Sequence, residues 1–513
     1  MEFQYSFFSI IFFLFLLLWL AKKYKQHFRT KSSIHKLPPG PWKLPLIGNL
    51  HQLAKAGSHP HHALRELSLK HGPLMHLQLG EISAVVVSSP EMAKEIMRTH
   101  DLTFVQRPEL LCPKMISYGY KGIAFTPYGE YWRQMRKICT LELLSPKRVQ
   151  SFSFVREDEV TKLIKSIQMC VGSPINLSTR ISSMVSTLVC RAAFGKKSDD
   201  IDELRYLLKK AIEVSGGFDL VDLFPSLKPI HLLTRTEVKL EKMHKKLDEI
   251  LEKIVNEHQL KMKSKDANGN LEKENLVDVL LRVQRSGDLN IPITGNNIKA
   301  VIWDIFAAGS ESSASVIEWA MSELMRNPRV MEKAQAEIRE AFRGKKTIHE
   351  KDVEELSYLK LVIKETMRLH TPGPLLLPRE CREACNIGGY EIPIKTKVIV
   401  NAWALGRDPK YWYDAESFIP ERFCGSSVDF KGTNFEYIPF GSGRRMCPGI
   451  SFALASIELP LACLLYHFDW ELPNGMKPVD LDMTETFGAA IGRKNKLYLI
   501  PSPCVPPSHY HAN

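Results

Sequence analysis

The chain has 513 residues, 44% hydrophobic and 25% charged, with a formal net charge of +12. That balance is typical of a globular protein long enough to bury a sizeable core. The positive charge suits an acidic partner or an anionic membrane; without zinc-finger spacing, an RNP-like stretch or a long Arg/Lys run, it does not indicate nucleic acid.

Phe7 to Ala21 is apolar except for Ser9. With Met1 to Tyr5 the stretch reaches about 20 residues, enough to cross a thin bilayer as a helix. Lys22, Lys23, Lys25, Arg29 and Lys31 follow at once. Positive charge after a span holds that side in the cytosol. A cleaved secretory signal would carry its charge before the apolar run, and a small-x-small site after it. Residues 1–21 are therefore expected to be a retained single-pass anchor with the rest of the chain cytosolic. Residues 22–45 are basic and proline-rich, with Leu37-Pro38-Pro39-Gly40-Pro41 and Pro45. Prolines fix φ and stop helices, so this stretch is expected to be a stiff, extended hinge. In that orientation the sequon Asn176-Leu177-Ser178 never meets the glycosylation machinery.

Residues 46–513 show no solenoid repeat and no low-complexity block. The β-branched stretch from Gly80 to Ser89 predicts a strand beside a turn, and Ile387 to Asn401 predicts further short strands. Helices are predicted over Glu237 to Met262, Asn297 to Arg326, Arg329 to Phe342 and Tyr358 to His370. The polar stretch Lys263 to Glu274 contains Asn268-Gly269 and reads as an exposed loop. The fold class is mainly α with a small β region. Ten cysteines without a C-x-x-C pair read as reduced thiols. The closest two, Cys381 and Cys385, suit a helix or loop surface better than a disulfide. His59-Pro60-His61-His62 has no flanking acid or cysteine and reads as exposed loop rather than a metal site.

The informative stretch is Phe440-Gly441-Ser442-Gly443-Arg444-Arg445-Met446-Cys447-Pro448-Gly449. An apolar, helical-looking run follows, Ile450 to Phe468. The cysteine thus lies on a glycine-rich loop at the mouth of a helix. Helix N-termini favour anions, and their free N–H groups can point at a sulfur. Both effects favour thiolate. Glycines admit a large planar ligand close to the backbone, and a neighbouring arginine suits that ligand's carboxylate. A dinucleotide loop would need a third glycine and a strand-turn-helix context that are missing.

The spacing F-x-x-G-x-R-x-C-x-G resembles the signature of the cytochrome P-450 family, the haem-thiolate monooxygenases. Further motifs resemble the same family in the same order. Glu365-Thr366-Met367-Arg368 is similar to its E-x-x-R helix, and Phe418 to Phe423 to the partner segment. The resemblance implies a P-450 fold after the transmembrane helix, with Cys447 as axial ligand of haem b. It further implies a buried network of Glu365, Arg368 and Arg422. Trp132, Arg136, Arg379, Phe440, Arg445 and Gly449 would contact the haem. Ala308-Gly309-Ser310-Glu311-Ser312-Ser313, midway along an apolar helix, resembles the family's oxygen-binding groove. There Gly309, the acid Glu311 and the hydroxyl of Ser312 would serve catalysis by delivering protons. The family usually has threonine where Ser312 stands, and serine lacks the methyl that restricts its rotamer. Phe306, Leu375, Leu376 and Phe487 would make the substrate pocket apolar, suited to a lipophilic molecule. Asp219 to Ile230 would form a membrane-facing access path or a buried loop.

The resemblance also implies substrate, O2 and two electrons. The chain has no second nucleotide-binding domain, so an NADPH-dependent flavoprotein reductase is the expected partner. Arg133, Lys137 and Arg444 are candidate contacts for its acidic surface. Pro378 to Glu383, Asn401-Ala402-Trp403-Ala404 and Leu459-Pro460-Leu461-Ala462 are similar to the plant branch of specialised metabolism. That branch oxidises terpenoids and terpenoid indole alkaloids at the endoplasmic reticulum membrane. The rival outcomes are haem-driven dehydrogenation, cyclisation or coupling without oxygen in the product, and a non-catalytic haem sensor. A sensor would need no proton-delivery groove.

Overall fold

The structure is a computed structural model describing residues 36–55, 59–195, 200–215, 218–227, 235–265, 274–345, 347–486 and 488–504. The expected anchor and the basic half of the expected hinge lie outside these residues, as do Phe487 and part of the Asp219 to Ile230 stretch.

The helices that frame the site are α1 (Pro60–His71), α2 (Glu130–Ile138), α3 (Ser153–Gln168), α4 (Leu177–Phe194) and α5 (Ile201–Val214). Then come α6 (Thr236–Lys265), α7 (Gly295–Arg326), α8 (Pro328–Ala341), α9 (Ser357–Leu369) and α10 (Ile450–His467). The longest, α7, begins at a capping box in which Thr294 and Asn297 satisfy each other's backbone N–H. Its apolar turns bury against α4 and α10, and α9 packs beside it. That four-helix contact forms the main core, with Trp319, Ile317 and Leu324 fully enclosed. By length and composition α10 could also cross a membrane, but Leu459, Leu461, Leu464 and Leu465 of this helix sit in the core.

The β region is small, as expected. β1 (Leu74–Leu79) and β2 (Ile82–Val87) form an antiparallel hairpin across Gly80, whose φ of +60° a side chain would strain. Four further strands precede the long C-terminal helix besides the one that joins β2. They are β3 (Ile175–Asn176), β4 (Arg379–Glu380) and the hairpin of β5 (Cys385–Ile387) with β6 (Tyr390–Ile392), then β7 (Lys397–Val400). β7 runs parallel to β2 and antiparallel to β4, giving the order β1-β2-β7-β4. β9 (Tyr498–Pro503) pairs antiparallel with both β3 and β8 (Phe468–Glu471) in a second sheet, order β3-β9-β8.

Two expectations change, for the proline-rich stretch and the histidine run, and the sequon gains a structural role. The proline-rich stretch is not free-standing from Lys36 onward: His76 N–H donates to Pro39 C=O at 2.9 Å and Glu391 N–H to Lys36 C=O at 3.0 Å. A Cβ on Gly40 would lie 2.1 Å from the His76 carbonyl oxygen, so glycine permits this docking against β1. The sequon is consumed structurally, because Asn176 caps α4 through Thr179 N–H and the buried Ser178 hydroxyl bonds Glu318. The histidine run is not an exposed loop. His61 and His62 open α1, and His61 is only 2% exposed. All ten cysteines are free thiols.

Candidate active site

The cysteine loop and the middle of α7 face one another across a cavity of about 470 Å³ with mostly apolar walls. Cys447, Phe440 and Gly449 line one side; Ala308, Gly309, Glu311 and Ser312 line the other.

The loop shape follows from its glycines. Gly441 and Gly443 both sit at φ +71°. A Cβ on Gly443 would come within 2.2 Å of the Met97 carbonyl oxygen and 2.9 Å of the Asp101 carboxylate. Cys447 N–H donates to Phe440 C=O at 3.0 Å, closing the loop. Gly449 N–H then points at Cys447 Sγ, 3.4 Å away, at the start of α10. Burial pushes the Cys447 thiol pKa up, while this N–H and the Arg136 charge pull it down. A metal ion would remove that proton outright.

Four guanidinium groups border the cavity: Arg107, Arg136, Arg379 and Arg445. Arg379, nearly fully buried, bonds Asp101 at 3.0 Å and Ser442 C=O at 2.8 Å. Arg445 donates to Val105 C=O and Thr126 C=O and lies 4.4 Å over the Trp132 ring. Trp132 is itself fixed by its indole N–H on Ile123 C=O at 3.0 Å. Arg136 donates to Met446 C=O from α2. Burial, then repulsion from Arg379 and Arg136, lowers the Arg445 pKa to about 9. Arg107 is depressed by the same burial and the same neighbours. Asp101 is the acid bonded to this cluster, and Arg444 shares it. A buried excess of cations calls for an anionic ligand. The fit is therefore to a broad apolar group with carboxylates at one edge and a sulfur ligand below, as expected of haem.

On α7, Glu311 carries a raised pKa because it is largely buried, opposed by the charges of Lys496, Arg205 and Lys209. Ser312 Oγ donates to Ala308 C=O at 2.6 Å. Ser313 Oγ lines the cavity, buried and without a hydrogen-bond partner. Gly309 packs closely, since a Cβ there would lie 3.3 Å from a Val189 methyl.

Glu365, Arg368 and Arg422 do come together. Arg368 grips Glu365 with two bonds of 2.7 and 2.8 Å, and Arg422 adds a third at 2.9 Å. Remaining donors of Arg368 reach Gly406, Ala415 and Ser417 carbonyls, so the charge is fully paired. Arg133, Lys137 and Arg444 are exposed.

Two expected pocket residues lie elsewhere. Phe306 faces away from the cavity, 1% exposed and packed near Trp303 in the main core. Leu375 packs against the β1–β2 cluster, while its neighbour Leu376 lines the cavity. The wall instead uses Trp303, Asp304, Ile116, Leu208 and Ile212. Asp304 and Arg107 carried no motif; the only sequence signal for Asp304 is a charge inside an apolar run.

The cytochrome P450 family model matches residues 38–500. The chain is 64% identical over 504 residues to Cytochrome P450 71D8 of Glycine max, covering 97% of this chain and 99% of that one. It is 57% identical over 503 residues to premnaspirodiene oxygenase of Hyoscyamus muticus, with 98% and 99% covered. To desmethyl-deoxy-podophyllotoxin synthase of Sinopodophyllum hexandrum it is 58% identical over 478 residues, with 93% and 94% covered. A zebra fish cytochrome P450 solved with abiraterone shares the fold at a TM-score of 0.73 and 24% identity, covering 86% of this chain and 99% of that one. The chain belongs to the cytochrome P450 family and is a monooxygenase whose haem is held by a cysteine thiolate.

Proposed function

We propose that this enzyme inserts one oxygen atom from O2 into a lipophilic terpenoid of plant specialised metabolism, with Cys447 as the haem ligand. The observation that carries the reading is the Cys447 sulfur facing Gly309, Glu311 and Ser312 across an apolar cavity. Thiolate-ligated haem supplies the oxidising chemistry and favours O–O cleavage.

The chain's own groups do the rest. Arg136, Arg379 and Arg445 would hold the carboxylates of the group, and Arg107 would add to the positive field. Trp132 stacks under Arg445 and keeps its fork in place. The buried Glu311 holds a proton more tightly than a free carboxylate and passes it into the groove beside Ser312. Apolar residues such as Ile116, Leu208 and Ile212 exclude water and orient the substrate. The premnaspirodiene oxygenase relative supports a terpenoid over an indole alkaloid substrate.

Residues 1–21 serve as a single-pass anchor in the endoplasmic reticulum membrane, and residues 22–35 as a basic link to the cytosolic body. Electrons come from a membrane-bound, NADPH-dependent flavoprotein reductase docking at Arg133, Lys137 and Arg444, all exposed. Deleting residues 1–21 should release the protein from membranes with haem content retained.

The test is product mass. Membranes carrying the enzyme and a reductase are fed terpenes under labelled dioxygen, and a product heavier by one labelled oxygen is expected. A second reading, oxidation that closes a ring or removes hydrogen, is favoured by Ser312, whose hydroxyl is turned back onto Ala308 C=O. It predicts a product two hydrogens lighter and unlabelled.

A further inference from the structure

Away from the cavity, His61, His62 and Glu485 converge although 424 positions separate His61 from the acid. One carboxylate oxygen, Glu485 Oε2, lies 2.8 Å from His61 Nε2 and 3.2 Å from His62 Nε2. The three donor atoms all lie within 4.8 Å of one another. We propose that His61, His62 and Glu485 form a zinc-binding site that ties helix α1 to the C-terminal loop.

The geometry suits the ion. Zinc holds nitrogen and carboxylate oxygen at about 2.0–2.1 Å, which sets tetrahedral donors about 3.3 Å apart. The observed 2.8 and 3.2 Å separations need to open by only a few tenths of an ångström. Two imidazoles and one carboxylate make three protein ligands, leaving the fourth position to water. On binding, the proton that an Nε2 presents to the carboxylate moves to Nδ1 or to solvent.

The surroundings hold the ligands in place. His62 stacks on Trp403 at 4.2 Å, and the His61 backbone carbonyl accepts from Asn401 at 2.8 Å. His62 is the more open ligand, its side chain 35% accessible, although its Nε2 is itself enclosed. Arg407 and Lys494 oppose a cation by their charge on Glu485 and His59. The site is thus expected to be weaker than a His2Glu site with no cations beside it. Glu485 belongs to a loop whose Ala489 N–H is held by Ile212 C=O, and both residues line the cavity. Zinc at Glu485 braces that wall of the pocket.

The experiment titrates zinc into untagged, full-length, haem-loaded enzyme in detergent against a chromophoric zinc indicator. His62→Phe keeps the stack on Trp403 and removes a ligand; Glu485→Gln keeps a hydrogen-bond acceptor for His61 and removes the charge. Wild type should take up one equivalent more than His62→Phe, and the affinity of that equivalent should fall about tenfold or more in Glu485→Gln. Zinc should also raise the wild-type melting temperature in a concentration-dependent way that both variants lose. The haem absorbance should stay constant, which separates this site from Cys447. Equal uptake and affinity in wild type and both folded variants would overturn the assignment, as would no uptake by wild type.

Discussion

Asp304 Oδ2 accepts the backbone N–H of Ile123 at 2.6 Å, joining the long helix α7 to the segment that carries the roof of the cavity. The same oxygen accepts Ala124 N–H at 3.0 Å, and a Cβ on Gly122 would lie 2.1 Å from it. Trp132 and Arg445 both bond carbonyls of this segment. Asp304→Ala should orphan two buried N–H groups, each worth about 1–3 kcal/mol. The expected result is a KM raised several-fold with haem content retained. Steady-state kinetics beside a haem assay check both.

The Glu365–Arg368–Arg422 network makes a harsher prediction. Glu365 and Arg368 are fully buried, and removing one charge strands the others. Glu365→Ala should cost about 3–5 kcal/mol and yield little haem-loaded protein. Haem content per milligram and thermal melting would register the loss.

Glu458 on α10 gives a pH dependence. Burial raises its pKa from 4.5 to about 7. A group bound to its proton more tightly in the folded state contributes stability below pH 4.5 and loses it as pH rises through about 7. Glu458→Gln keeps the side-chain volume and does not titrate. Relative to wild type it should therefore be neutral near pH 5 and gain up to about 3 kcal/mol by pH 8. Apparent melting temperatures at the two pH values check the sign.

Much of this was legible in the sequence, for stated reasons. Cys447, Arg445 and the glycines lie in one continuous loop, so their spacing alone brings them together. The network of Glu365, Arg368 and Arg422 was readable only through resemblance, because its parts lie more than fifty positions apart. The strand at Ile82–Val87 was visible as β-branched residues, but its partner Leu74–Leu79 has no β-branched residue to mark it. Phe306 was misplaced because α7 is buried on most sides, so hydrophobicity alone does not say which of its apolar residues meets the cavity. His61 and His62 looked like an exposed loop because their acid, Glu485, arrives from the far end of the chain.

In the groove, Glu311 and Ser312 should separate by phenotype. Glu311→Gln removes a buried acid and should lower turnover about 10²-fold or more, with little change in substrate affinity. Ser312→Thr restores the usual hydroxyl residue and its rotamer restriction. It should leave turnover near wild type and raise product formed per NADPH consumed. Measured peroxide release distinguishes the two.

The most direct measurement is the absorption spectrum of the reduced carbon monoxide complex, taken for wild type and for Cys447→Ala supplied with haem. Wild type should show the red-shifted Soret band of thiolate ligation, and Cys447→Ala should lose it. A thiolate-type band retained in Cys447→Ala would contradict the ligand assignment on which the catalytic account rests.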